Sequence, residues 1–260
     1  MFRPSLPALL CASFLSFTAQ AEPAAPVRPL LGAGVWSRPA YDGASDGQTT
    51  ALIPSVRYYG PLAFARTTMG LLEGGVRHEL APGFTVGAQL AYEGGRSSAE
   101  SSFLAAHRLP DLPASLSWGV HAELEGKVGP MPLIGLLRYR QDLDSARGAQ
   151  ADLRLTAGVY SGGGLNAGVF VQGTWADARA SQYYYGITPA LAASSGLAAY
   201  APEGGALYQA AGLLWSYDLT PQWLLLGSIE GRRLRGGALD SPLVQTQASR
   251  YASLSLVRQF

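Results

Sequence analysis

Cysteine is almost absent from this sequence, since Cys11 is the only one in 260 residues. If Cys11 is lost with an export signal, the mature chain can form no disulfide, thiolate metal site or cysteine nucleophile. Charge is also scarce, at 14%, and removing Arg3 with the signal leaves 18 basic and 18 acidic residues. A chain without a basic excess is not expected to bind nucleic acid. No HExxH or P-loop motif occurs, and we expect neither an enzyme activity nor a cofactor.

The export signal is predicted from the start of the chain. Arg3 is followed by an apolar stretch, residues 6–17, and then by Ala19-Gln20-Ala21. A positive charge, an apolar stretch of this length and a small-x-small triplet are typical of a secretory signal peptide. We therefore expect residues 1–21 to be a signal peptide and residues 22–260 to form a single domain.

Long apolar runs are missing as well. Hydrophobic residues make up 48% of the chain, yet no mature segment approaches the roughly 20 apolar residues of a membrane-spanning helix. Residues 115–125 show what is present instead, because apolar side chains alternate there with polar or small ones. The apolar set is Leu116, Trp118, Val120, Ala122 and Leu124. Successive side chains of a strand point to opposite faces, so this segment predicts a strand with one apolar and one polar face.

Twelve segments are interpreted as strands. They are residues 29–37, 50–59, 62–69, 72–80, 84–93, 115–125, 131–140, 151–160, 165–175, 206–217, 222–232 and 247–260. A soluble sandwich would also alternate, with its apolar face turned inward. Strand lengths of about 9 to 11 residues and aromatic residues near strand ends, such as Trp118 and Trp223, favour a membrane barrel. The predicted fold is an all-β, antiparallel, up-and-down transmembrane barrel of the outer-membrane type, with about 12 strands.

The connections between these strands alternate in length. Short ones are predicted at 60–61, 81–83, 126–130, 161–164 and 218–221, and long ones at 38–49, 94–114, 141–150, 176–205 and 233–246. The connection near Gly70 is short where a long one is expected. Since short turns of such barrels face the periplasm, we expect both chain termini there. In residues 131–140 both faces look apolar, and we expect a slipped register or a bulge.

The last strand ends directly on Phe260. A terminal alternating strand that stops on an aromatic residue is typical of bacterial outer-membrane barrels. We expect outer-membrane lipid around the barrel, and recognition of Phe260 and its strand by the barrel-assembly machinery. The strand should close against the first one near residues 32–36, with Arg258 reaching water at the periplasmic interface.

Charged and polar side chains on the predicted inner faces are the candidate site residues. They are Glu73, Arg77, Glu93, His121, Glu123, Arg138, Arg140, Asp152, Arg154, Glu230 and Arg232. One interpretation is an eyelet that selects solutes by charge. The other is a network of salt bridges that fills the lumen, and similar numbers of both signs favour it.

Two further hypotheses concern chemistry. A hydrolase needs a nucleophile or base beside a histidine, and His121 shares its predicted face with Glu123, which could orient the imidazole. A polar residue in a lumen network is the favoured interpretation of His121. Residues 39–47 contain two aspartates, but their spacing does not match an EF-hand, so a turn-rich exposed loop is expected there.

Short blocks distributed along the chain carry a family resemblance. In order, they are Gly32-Ala33-Gly34-Val35-Trp36, Pro39-Ala40-Tyr41-Asp42-Gly43, Tyr184-Tyr185-Gly186-Ile187-Thr188, Ser195-Gly196-Leu197, Glu203-Gly204-Gly205, Ser216-Tyr217-Asp218-Leu219-Thr220, Asp240-Ser241-Pro242-Leu243-Val244 and the closing Phe260. Together they resemble the MipA/OmpV family, the MltA-interacting outer-membrane proteins.

The resemblance implies a non-enzymatic protein of the outer membrane. The family's named member resembles a scaffold that joins a lytic transglycosylase, a murein hydrolase, to a murein synthase, and the family offers no catalytic residues to carry over. We therefore expect a structural, scaffolding or interaction role at the cell envelope. A porin-like channel for small solutes, a surface adhesin and a hydrolase using His121 are the alternatives.

Overall fold

A computed structural model describes residues 28–68 and 70–260. The predicted signal peptide, residues 1–21, lies outside the described residues. The strands are β1 Leu30–Arg38, β2 Thr49–Tyr59, β3 Ala63–Thr68, β4 Leu71–Ala81, β5 Phe84–Glu93, β6 Ser115–Val128, β7 Met131–Asp142, β8 Ala149–Gly162, β9 Leu165–Ala176, β10 Gly205–Asp218, β11 Trp223–Leu234 and β12 Ala248–Gln259. The predicted architecture is confirmed, because these strands form one closed barrel.

Each strand pairs antiparallel with its neighbours in the sequence, and β12 pairs with β1 to close the barrel. At this seam Gly32 lies opposite Val257 and Trp36 lies opposite Ser253, as expected. The prediction of a slipped register or a bulge within residues 131–140 was wrong, since β7 pairs with both β6 and β8 without a register shift. The reason is that Leu136 takes an inward position opposite Glu123, where it is buried. An apolar side chain on the inner face therefore needs no slip of the strand.

The barrel wall is apolar outside and largely polar inside. Outward side chains such as Leu52, 84% exposed, and Leu124, 62% exposed, alternate with buried inward residues such as Ser55 and Glu123. A soluble protein shows the opposite arrangement. An apolar outer face on a closed ring of paired strands is the arrangement that a lipid environment requires, and the shortest pairing is that of β2 with β3, over three residues.

The two ends of the barrel differ, and we call them the turn end and the loop end. The turn end carries short connections, such as Gly163 and Gly164 between β8 and β9. Both glycines have positive φ, +57° and +78°, as a two-residue hairpin of this kind requires. They lie in the short connection predicted at residues 161–164.

The long connections gather at the loop end and contain short helices that the sequence pattern did not predict. They are α1 Ser102–Ala106, α2 Ala178–Tyr185 and α3 Pro189–Ser195, with 3₁₀ turns at Ser98–Glu100, Ser145–Arg147 and Gly236–Ala238. No helix in the described part of the chain is long and apolar enough to cross a membrane.

These loops pack on one another and form a cap over the barrel mouth. Its apolar core contains residues from four different loops, namely Ala40, Tyr41, Ala44, Leu104, Leu109, Ile187 and Leu243. Tyr41 donates a hydrogen bond from its hydroxyl to the carbonyl oxygen of Leu243 at 2.9 Å. The cap is therefore a packed structure with a hydrophobic core of its own.

Candidate functional site

Most of the predicted site residues meet in the middle of the barrel. We call the linked set the central ion network, and it consists of Arg66, Glu73, Glu93, Glu123, Arg138, Arg140 and Asp152. Its members come from six consecutive strands, β3 to β8. Arg66, Glu73, Arg138 and Asp152 expose 8%, 0%, 1% and 1% of their side chains.

The contacts run across the lumen from strand to strand. Arg66 contacts Glu123 and places its Nε 2.7 Å from Glu73 Oε1. The other carboxylate oxygen of Glu73 lies 3.2 Å from Arg138 Nη1, and Arg138 Nη2 lies 2.8 Å from Asp152. Arg66, Glu73 and Arg138 each contact two side chains of opposite charge. These contacts offset part of the large cost of burying ions.

The network continues to the wall on the β8 side. Arg140 lies 3.2 Å from Glu93 and 3.7 Å from Asp152, and the hydroxyl of Thr174 donates to Asp152 Oδ1 at 2.7 Å. Asp152 thus receives contacts from two arginines and a threonine, which makes it the most connected acid of the set.

Arg66 is the member that sequence reasoning missed. It lies on β3, a strand of six residues whose alternation is weak. The available signal was that Arg66 is the only charged residue of that strand, and a charge on a membrane strand belongs on the inner face.

The other predicted residues occupy separate places. His121 contacts Gln89 through Nδ1 and meets the edge of the Phe64 ring at 5.1 Å. Nδ1 of His121 therefore contacts Gln89 and not Glu123, the residue suggested to orient it. The carboxylate of Glu123 is held by Arg66 instead. Arg77 donates to the Thr85 hydroxyl at 3.2 Å. Arg154 lies 3.6 Å above the Phe170 ring, which is a cation–π arrangement rather than an ion pair.

Glu230 and Arg232 belong to a second cluster near the loop end, which we call the mouth cluster. Arg232 lies 2.8 Å from both Glu230 and Asp42. Its guanidinium is flanked by the rings of Tyr208 and Tyr251, each 4.2 Å away. The hydroxyl of Tyr251 also donates to Asp42, at 2.6 Å. Asp42 therefore links the loop between β1 and β2 to strands β11 and β12 of the barrel wall.

The loop that contains Asp42 was expected to be exposed, and that prediction was wrong. Ala40, Tyr41 and Ala44 are buried, at 1%, 8% and 6% exposure. Charge pairing with Arg232 and apolar packing in the cap pull this loop into the mouth. Its second aspartate, Asp46, binds α1 by accepting from the Ser101 and Ser102 hydroxyls and from the Phe103 N–H.

A cavity of about 190 Å³ lies between the cap and the central ion network. Arginine and tyrosine side chains dominate its polar lining, among them Arg96, Arg140, Arg232 and Tyr184. Burial lowers the pKa of the Arg96 guanidinium, against the influence of the Tyr41 and Tyr185 hydroxyls. Burial also raises the pKa of the Tyr184 hydroxyl. Among the described residues, no group of three or more His, Cys, Asp and Glu side chains could hold a metal ion.

An apolar layer lines the interior at the turn end, on the side of the barrel formed by β11, β12 and β1. Leu30, Leu224 and Val257 are 2%, 7% and 0% exposed and pack with Leu226. The chain terminus lies at the same end, where the Phe260 N–H donates to the Pro29 carbonyl at 3.0 Å. The Phe260 side chain is 62% exposed. Its recognition by the assembly machinery stays a prediction.

A closed, up-and-down barrel with an apolar wall and an ion-paired interior defines the class of outer-membrane β-barrel proteins. The family model described as MltA-interacting protein MipA matches residues 31–260. The chain belongs to this family, as its sequence blocks predicted, and it is located in the bacterial outer membrane. By the usual orientation of such barrels, the turn end faces the periplasm and the loop end faces the cell exterior.

Solved structures of other outer-membrane proteins are similar at low identity. LpxR from Salmonella typhimurium is 9% identical, with 89% of this chain and 100% of that chain covered and a TM-score of 0.47. An outer membrane channel from Pseudomonas putida F1 is 10% identical over 91% and 97% of the two chains, with a TM-score of 0.46. Similarity at this level carries no inference about function. A comparison with curated proteins found no significant match.

Proposed function

We propose that this protein is a closed, non-enzymatic barrel that acts as a structural and interaction protein of the cell envelope. Its proposed partner is a murein hydrolase, which it would hold at the inner surface of the outer membrane, with a murein synthase as a further member of the complex. The observation that carries the proposal is the filled interior. A protein whose lumen is occupied acts through its surfaces.

Three levels of packing support a closed lumen. The cap covers the mouth with an apolar core in which Leu104 and Ile187 are 0% and 1% exposed. The central ion network crosses the middle. The apolar layer around Val257 packs against the inner wall at the periplasmic end. A solute passing on the side of β3 to β8 would have to separate ion pairs whose side chains are almost fully buried, at a cost of several kcal/mol for each uncompensated charge.

The family supports the choice of partner. Its description names an interaction with MltA, and the sequence blocks that resemble the family imply a scaffold between murein hydrolase and murein synthase. Any such partner must meet this barrel on the periplasmic side, because murein lies there. Among the described residues, the periplasmic surface consists of the short turns and the strand ends next to them.

The hairpin of β6 and β7 is the periplasmic element that we propose as the contact. β5 pairs with β6 only as far as Leu124, while β6 and β7 remain paired down to Val128 and Met131. Residues 125–132 are all exposed. The projecting hairpin leaves one backbone edge of β6 unpaired with β5, and such an edge is a site at which another chain can add a strand.

Co-purification tests the proposal. Full-length protein is isolated from gently solubilised envelopes through a tag on an extracellular loop, and the recovered murein hydrolases are quantified against a mock purification. We expect enrichment of a murein hydrolase in a salt-resistant complex. Recovery at the level of the mock purification would contradict the scaffold role.

A single lysine makes the contact site testable. Lys127, at the tip of the β6–β7 hairpin, is the only lysine in the sequence. An amine-reactive cross-linker added to permeabilised cells should therefore join the hydrolase to Lys127, which is the only reactive amine of the protein besides its N-terminal amine. The matched control is the double variant Lys127→Arg, Arg179→Lys, which moves the lysine to an exposed residue of α2 at the other end of the barrel. Equal cross-linking of both proteins would place the contact elsewhere.

A further inference from the structure

Three arginines lie together at the extracellular end of the barrel wall. Arg233 is next to last in β11, Arg250 is third in β12, and Arg235 follows β11. Arg233 alternates with the inward residues Arg232 and Leu234, so it points away from the lumen. Arg250 alternates in the same way, and both side chains are exposed. On adjacent strands, Arg233 lies opposite Ala248 and Arg250 lies opposite Gly231, so the two arginines are diagonal neighbours.

Neutral amide groups, rather than carboxylates, accept hydrogen bonds from two of these arginines. Arg235 donates from Nε and Nη2 to Gln209 Oε1, at 3.1 and 2.9 Å. Gln209 lies directly opposite Arg233 on β10. Arg233 donates to Gln247 Oε1 at 3.4 Å. The ion pairs found among residues 28–68 and 70–260 include none of these three arginines.

The surface directly below the arginines is apolar. Ile229, Leu213 and Leu254 face outward and are 60%, 37% and 44% exposed. Leu213 lies opposite Ile229 on the neighbouring strand. The wall thus presents guanidinium groups at the level of the outer headgroups and aliphatic side chains at the level of the acyl chains. Positive charges at headgroup level above apolar side chains match a lipid that has an anionic headgroup and acyl chains.

We propose that Arg233, Arg235 and Arg250 form a binding site for the phosphate groups of the phosphorylated glycolipid in the outer leaflet. Arginine is suited to this role because its planar fork binds phosphate oxygens with two parallel hydrogen bonds. Without carboxylate partners, the three charges are compensated by the lipid. Gln209 holds Arg235 beside Arg233, which orients the site before the lipid arrives.

Binding of defined lipids tests the proposal. Folded, full-length protein in neutral detergent is titrated with lipid A that carries both phosphates and with lipid A from which the phosphates have been removed. Binding is followed by native mass spectrometry and by the shift in unfolding temperature. Each basic residue near an anionic surface contributes roughly a fivefold change in affinity. We expect R233Q/R250Q to bind the phosphorylated lipid about 25-fold more weakly than the unchanged protein.

The control is Arg258→Gln. Arg258 is an exposed residue of β12 at the periplasmic end, so its replacement should leave lipid A binding unchanged. R233K/R250K keeps the charge and should retain most of the affinity. Equal binding of phosphorylated and phosphate-free lipid A by the unchanged protein would overturn the proposal, whatever the variants do. Equal loss in R258Q and in R233Q/R250Q would overturn it as well.

Discussion

Arg138 of β7 donates two hydrogen bonds to one carboxylate oxygen of Asp152 on β8. Its Nε and Nη2 lie 3.1 and 2.8 Å from Oδ2. The two residues face each other directly across the strand pair. Each side chain is 1% exposed. Arg138 also reaches Glu73 on the far side of the lumen, so the pair joins the wall to the centre of the barrel. The stability of the barrel should therefore depend on this contact.

Replacing Asp152 tests that dependence. Asp152→Asn keeps the shape of the side chain but removes a carboxylate that serves Arg138, Arg140 and Thr174. Taking one partner from a buried ion pair costs about 3–5 kcal/mol. We expect that loss in the free energy of unfolding, measured by urea titration of the protein folded into lipid vesicles.

The control for this variant is Asp144→Asn. Asp144 pairs with Arg147 at 3.4 Å, but its side chain is 56% exposed. Exposed pairs of this kind contribute about 1 kcal/mol or less. If both variants lost the same small amount, the central ion network would not stabilise the barrel.

The seam that closes the barrel depends on Gly34. The hydroxyl of Ser55 on β2 donates to the hydroxyl of Ser255 on β12 at 2.7 Å, across the inner face of β1, which lies between them. A Cβ on Gly34 would collide with the Ser255 hydroxyl and lie 2.7 Å from Ser255 Cα. We expect Gly34→Ala to lower the free energy of unfolding by about 1–3 kcal/mol.

Gly126→Ala is the matched control for the seam. A Cβ at Gly126 would meet nothing within 4 Å, so this variant should unfold like the original protein. Heat-modifiable migration in gel electrophoresis, which distinguishes closed from unfolded barrels, provides a second measurement. Equal stability of both variants would show that the seam tolerates a side chain between the two serines.

The cap should loosen in acid because of Asp46. Partial burial raises the pKa of the Asp46 carboxyl, but hydrogen bonds from Ser102, Phe103 and Ser101 outweigh this effect and lower the pKa overall. A carboxyl whose pKa is lower in the folded state stabilises that state above its unfolded pKa, about 3.9, and the stabilisation is lost as pH falls below it. We expect hydrogen exchange in residues 97–106, corrected for intrinsic rates, to accelerate below about pH 4.

Asp46→Asn separates this effect from other acid-induced changes. The variant has no carboxyl to titrate at this position, so exchange in residues 97–106 should be faster at neutral pH and should change less between pH 6 and pH 3. A pH dependence identical to that of the original protein would assign the loosening to another group, such as Asp111, whose pKa is lowered by the Ser98 N–H.

The wall of the barrel could be predicted from the sequence because its alternation is local. In β6, Leu116, Trp118 and Val120 each take the outward position that the pattern assigns. The same pattern placed Arg138 and Asp152 on the inner face, but it could not tell which acid each arginine would meet. That choice depends on the stagger of six strands around the barrel, which periodicity does not specify.

The mouth could not be predicted in the same way. Asp42 lies in a turn-rich loop, and its partners Arg232 and Tyr251 are 190 and 209 residues away in the sequence. Only the closed barrel brings these residues together. The helices of the cap are short, with five to eight residues, and gain their stability from packing rather than from propensity. A pattern search of the sequence therefore has little to detect.

Conductance in a planar lipid bilayer distinguishes a closed lumen from an open one. If the cap, the central ion network and the apolar layer together close the lumen, the protein acts through its surfaces. Folded, full-length protein is fused into the bilayer from vesicles, and flotation of the same vesicles confirms insertion. We predict that inserted protein produces no stable conductance steps. Reproducible steps of a porin-like size would contradict it.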